Sequence, residues 1–161
     1  MAEASLTGSA AGQCLNGVQD TIVALAMTGF PTARVVIRQN AYLLEDDPTP
    51  LCVVSLFGSR PAPSEGTNRE NTIHFEIIVT LHWAGDRGKL GNMGVVLVAM
   101  ETIIQNFAKR AAASLTVDAG GACLKSVNVR TAEALNRDAW AQGFQAFHCI
   151  VDCEVRLPYP A

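Results

Sequence analysis

Charge is scarce in this chain. Of its 161 residues, 17% are Asp, Glu, Lys or Arg, against about 25% in an average soluble domain. Neither sign dominates: 12 basic residues stand against 15 acidic ones, for a net charge of −3. The basic footprint of a nucleic-acid-binding domain is therefore absent from the chain as a whole. Long apolar runs are missing too. The longest, Val95 to Met100, falls far short of the ~20 residues that span a bilayer, so no membrane partner is expected. Met1 to Gly12 has no basic start leading into an apolar run, which predicts a soluble product synthesised in the cytoplasm. Cysteine is present but unpaired by spacing. Cys14, Cys52, Cys123, Cys149 and Cys153 are odd in number, and no two have the two-residue spacing of a zinc knuckle or redox motif. They read as reduced, mostly buried small hydrophobes.

Hydrophobic residues make up 49% of the chain, which excludes intrinsic disorder. A chain of this length buries roughly 70% of its unfolded surface, enough for one core in one domain. Residues 1–12 are small and polar and read as a flexible arm. Residues 13–161 form the single domain. Low charge over so much apolar residue further implies that part of the surface meets a partner.

Helical spacing of Val18, Ile22, Leu25 and Ala26 predicts a first helix from about Gln13 to Met27, ended by Gly29-Phe30-Pro31. Val35, Val36 and Ile37 read as a short strand. Leu51 to Phe57 is a second, apolar on both faces and therefore central. Gly58 to Asn71 reads as a long loop. The strongest signal is the third strand, where Ile73, Phe75, Ile77, Val79, Leu81 and Trp83 alternate with His74, Glu76, Ile78, Thr80 and His82. A second helix is expected from about Lys89 to Arg110, on a seam of Leu90, Met93, Leu97, Met100, Ile104 and Phe107. Leu124 to Arg130 forms a fourth strand, and Thr131 to Gly143 is irregular. The last strand carries Phe147, Cys149, Val151, Cys153, Val155 and Leu157 on one face, with His148, Asp152, Glu154 and Arg156 on the other. The order α-β-β-β-α-β-β predicts an α+β fold: a mainly antiparallel sheet of about five strands with two helices on one face.

Chemistry finds little support. His74 and His82 lie eight residues apart on one strand, about 26 Å at ~3.3 Å per residue, too far for one metal ion. Cys149 and His148 point to opposite faces and form no dyad. There is no Gly-x-Ser-x-Gly elbow. Gly85, Gly88, Gly91 and Gly94 match neither phosphate-binding fingerprint and read as a strand-to-helix turn. No catalytic residue, metal ligand or cofactor is assigned. The positive signal is assembly. Val95, Val96, Val98 and Ile103 widen the apolar surface of the second helix beyond one seam. Together with Leu90, and with Arg69 and Trp140 in the two long connections, they are the candidate subunit-interface residues. The alternative is a small cytosolic enzyme or ligand-binding module using the polar face of His74, Glu76, His82 and His148.

The layout resembles the tail terminator and tail-completion proteins of tailed bacteriophages and related head–tail neck components. The resemblance rests on the early helix ending at Gly29-Phe30-Pro31 and on the Gly66-Thr67-Asn68-Arg69 loop before a long strand and a long helix. Asn136-Arg137-Asp138-Ala139-Trp140, ahead of a final strand ending in Arg156-Leu157-Pro158, completes it. The resemblance covers roughly Gln13 to Pro158. It implies a non-enzymatic virion protein of the tail or neck, made in the host cytoplasm, that forms a homohexameric ring. That ring caps the tail tube and binds the tube protein and a head-side connector protein, with DNA only passing through. A head-side stopper or adaptor is implied equally well. A mildly acidic subunit suits such a channel, because it avoids the counterion-release affinity of a basic lining.

Overall fold

The computed structural model describes residues 6–61, 70–83, 91–108, 115–130 and 145–158. Two helices, α1 (Ala10–Ala24) and α2 (Gly91–Ala108), lie on a five-stranded sheet. Its strands are β1 (Val35–Ile37), β2 (Leu51–Pro61), β3 (Glu70–Trp83), β4 (Cys123–Arg130) and β5 (Gln145–Pro158), in the spatial order β1-β2-β3-β5-β4. The α+β class is as expected. Every neighbouring pair is antiparallel except β1 and β2, which run parallel. Residues 38–50 make that parallel crossover, close to the dozen residues such a return requires.

Helix α1 starts inside the stretch read as an arm. Ser9 caps it by accepting a hydrogen bond from the Gly12 N–H at 3.0 Å, and a short 3₁₀ turn at Leu6–Gly8 precedes it. Its buried side chains Cys14, Leu15, Val18 and Ile22 keep helical spacing and meet the sheet. At its N-terminal end, the Gln13 amide bonds the Asp118 carboxylate at 2.7 Å and accepts from the Asp118 N–H at 2.9 Å, tying the helix to the chain entering β4.

The alternation in β3 and β5 places its faces as expected. Ile77, Val79, Leu81 and Trp83 join Phe147, Cys149, Val151, Cys153 and Val155 beneath the helices. Trp83 and Phe147 stack with ring centroids 5.0 Å apart. All five cysteines are free, and only Cys123 is exposed. Burial pushes the Cys149 thiol up to about 12, so it behaves as core.

Helix α2 corrects the expected rotation. Its fully buried stripe is Val96, Ala99, Ile103 and Phe107, whereas Met93, Leu97, Met100 and Ile104 are half-buried. The helix is thus turned by about 80° from the expected seam, at roughly 100° per residue. Apolar residues occupy more than one stripe of its circumference, so spacing alone does not fix the rotation. The helix settles with small Ala99 against the sheet.

Two bulges shape the rest. β2 continues past Phe57 to Pro61, further than expected, and its register shifts between Leu56 and Gly58. That shift moves Gly58 and Arg60 off the helix-covered face, where simple alternation would put them, onto the opposite one. A second shift in β4, between Leu124 and Ser126, lets Leu124 and Val127 both face the core. The irregular stretch expected from Thr131 to Gly143 lies outside the described residues.

Candidate functional site

The face of the sheet away from the helices carries the expected polar residues, and the register defines their neighbours. Glu76 on β3 pairs directly with Asp152 on β5. Two carboxylates set opposite one another repel, and both are nearly buried. Arg60, delivered to this face by the β2 bulge, bridges them. Its Nε donates to Glu76 Oε1 at 2.9 Å and its Nη2 to Asp152 Oδ2 at 2.9 Å. Arg130, at the end of β4, reaches the same Glu76 oxygen at 2.7 Å. His74 Nδ1 lies 2.9 Å from Asp152 Oδ1. Beside this group, Ser126 Oγ donates to Glu154 Oε2 at 2.9 Å. The result is an ion-pair network across four strands, with two central carboxylates flanked by an arginine on either side. Both guanidiniums are about half exposed, 48% each, so each pair adds modestly to stability, within the range of surface ion pairs.

The arrangement holds its acidic groups in structural pairs. His82 is far from the cluster and bonds elsewhere: its Nε2 is 2.6 Å from the Ala41 carbonyl oxygen. His148 pairs in register with Thr80, two residues along β3 from His82. Among the described residues, no three His, Cys, Asp or Glu are grouped so as to hold a metal ion. Sequence reasoning missed Arg60 and Arg130 as members of this face. The only signal for Arg60 was the Gly58 interruption of an otherwise apolar strand, a common mark of a bulge.

The opposite end of the same face is closed by the crossover, residues 38–50. Arg38 and Asp47 form a bidentate pair, with Nη2 to Oδ1 at 2.6 Å, and Asp47 Oδ2 also accepts from the Leu44 N–H at 2.7 Å. The hydrogen bonds from Arg38 hold the Asp47 carboxyl down at about 2. Burial lowers the His82 pKa. The strap brings the Ala41 carbonyl over the β2–β3 end where Leu51 pairs with His82. Leu51 and Val53, the outward apolar residues of β2, are buried there.

The candidate interface residues separate into groups. Val96 and Ile103 are buried in the chain's own core, which removes them from any subunit interface. Val95 is half-buried, and a Cβ placed on Gly29 would lie 2.7 Å from its Cγ1. Val98 alone projects outward, 65% exposed. Leu90, Arg69 and Trp140 lie outside the described residues. The apolar surplus of α2 is therefore mostly consumed inside the subunit.

A different apolar surface emerges on β2. Leu56 is 40% exposed and Phe57, at the bulge, 61%. They sit where β2 has outrun its neighbour, because β1 pairs only with Cys52, Val53 and Val54. Beyond Val54, the outer edge of β2 has no strand partner among the described residues. Among the described residues, β4 at the far edge pairs with β5 alone. Among the described residues, no helix is long and apolar enough to cross a membrane. No family model matches the chain, and no curated protein matches it either.

Proposed function

We propose that the protein is a non-enzymatic structural subunit that assembles with copies of itself into a ring. The ring is the tail terminator or neck component of a tailed-phage virion, a hexamer that caps the tail tube and joins it to the head. The observation that carries this reading is the pair Leu56 and Phe57, exposed beside the half of β2 that has no outer strand partner among the described residues. Large apolar side chains flanking an open strand edge invite another chain, and natural monomers usually blunt such edges. A ring further requires two different adhesive surfaces on each copy, and among the described residues this sheet has open edges on both sides. The polar face supports the same reading. Its two opposed carboxylates are engaged by Arg60, Arg130 and His74 rather than presented to a substrate. The paired α+β layers also agree with the fold implied by the resemblance.

Electron microscopy tests the reading at two levels. The purified protein, alone or mixed with tail tubes, should show rings, and particles assembled without it should carry tails of uncontrolled length. A protein that stays monomeric in both settings, with tails of normal length in its absence, contradicts the proposal. Stoichiometric metal by elemental analysis, or an activity that is lost on His148→Ala, would favour the enzyme or ligand-module alternative instead.

A further inference from the structure

The two edges of the sheet that are open among the described residues match one another. Residues 55–61 of β2 pair with residues 78–73 of β3, those with residues 150–155 of β5, and those with residues 130–124 of β4. The free half of β2 and the whole of β4 therefore occupy the same levels of the sheet, at opposite sides. They also run in opposite directions, since each of the three intervening pairings is antiparallel. A second copy placed beside the first in the same orientation thus brings its β4 alongside β2 with antiparallel sense and comparable length.

Side chains fit that continuation. On the helix-covered face, half-exposed Leu56 shares a level with half-buried Val129, joined through the Leu56–Ile77–Val151–Val129 row. Phe57, the exposed bulge residue, follows Leu56 in the chain. On the polar face, Arg60 shares a level with Ser126, whose hydroxyl bonds the Glu154 carboxylate one strand inward. Arg130 lies instead at the level of Ser55. The two guanidiniums therefore do not confront one another across the junction.

Resting on the assembly reading above, we propose that the partner seated on this edge is a second copy of this chain. Residues 55–61 of β2 pair with β4 of the next subunit, head to tail, extending one antiparallel sheet from copy to copy. Backbone hydrogen bonds supply the adhesion, and Leu56, Phe57 and Val129 supply the apolar cover. The interface is heterologous, so it closes into a ring when the rotation per subunit allows.

Complementation of two blocked variants tests it. Phe57→Asp obstructs the β2 side, and Val129→Lys obstructs the β4 side with a charge at an edge. Each variant alone should be a folded monomer by circular dichroism and sedimentation. An equimolar mixture should give a dimer and nothing larger, because one intact β2 edge meets one intact β4 edge. A dimer of Phe57→Asp alone indicates β4-to-β4 pairing and overturns the proposal. A mixture that stays monomeric while the wild type assembles also overturns it, but leaves the ring reading standing on another surface. A wild type that stays monomeric at every concentration, both alone and mixed with tail tubes, removes both. Should either variant misfold, hydrogen exchange on the wild type decides the matter. Amides in residues 55–60 and 123–130 should exchange at least roughly tenfold more slowly in the assembled protein. Protection confined to other segments overturns the pairing.

Discussion

Replacing Ile103 with Ala gives a direct reading of how α2 sits on the sheet. Ile103 is 1% exposed and belongs to the central core cluster. Removing its buried methyl and methylene groups loses their transfer free energy and leaves a cavity, a combination that costs about 2–5 kcal/mol in well-packed cores. A value near 3 kcal/mol corresponds to a fall in Tm of roughly 6–12 °C for a domain of this size. Leu97 is half-buried on the flank, so Leu97→Ala should cost about half as much. Val98→Ala, at a position 65% exposed, should stay within about 0.5 kcal/mol. Urea unfolding followed by circular dichroism, with an unchanged m value across the series, gives the three numbers on one scale. If Leu97→Ala or Met100→Ala costs more than Ile103→Ala, α2 rests on the seam that its spacing predicts, and the rotation argued here is wrong.

Three further outcomes follow from the strap and from α1. Asp47→Asn should lower stability by about 1–2 kcal/mol at neutral pH, because the wild-type carboxyl is held at about 2 by Arg38. A depressed acid stabilises the fold above its unfolded pKa near 3.9. The gap between wild type and variant should therefore close as pH falls from about 4 toward 2, which pH-dependent melting curves will show. His82 is buried with its pKa held below 6.5, so the unfolded chain takes up the proton first, and stability declines as pH drops below that value. His82→Gln should flatten this slope; an unchanged pH–stability profile would show that His82 is not desolvated beneath the strap. Gly17→Ala should destabilise by about 1 kcal/mol or more despite the better helix propensity of alanine. Its Cβ would lie 2.6 Å from Leu115 Cδ2 and 3.2 Å from the Leu115 Cα. A higher Tm for that variant would mean that residue 115 does not pack against α1.

The sheet was legible where one periodicity dominated. In β3 and β5 a period of two separates an apolar face from a mainly polar one, broken on the polar side by the paired Ile78 and Ile150, and the register matches that separation. The rotation of α2 was not legible, because Val95, Val96, Val98 and Ile103 blur the seam and several orientations bury similar area. The polar cluster was half legible. His74, Glu76 and Asp152 follow from alternation, but Arg60 reaches them only through a bulge at Phe57, and a bulge breaks the periodicity that sequence reading depends on. The parallel pairing of β1 was hidden for another reason: three residues carry no sign of strand direction, which depends on the path of residues 38–50. The exposed β2 edge was likewise invisible, since it arises from the mismatch between a three-residue β1 and an eleven-residue β2.

Sedimentation velocity of the wild type beside Phe57→Asp, over a range of concentrations, bears most directly on assembly through that edge. The account predicts one discrete multi-copy species for the wild type and a folded monomer for the variant. Identical sedimentation of the two proteins, whether both assemble or neither does, would contradict it.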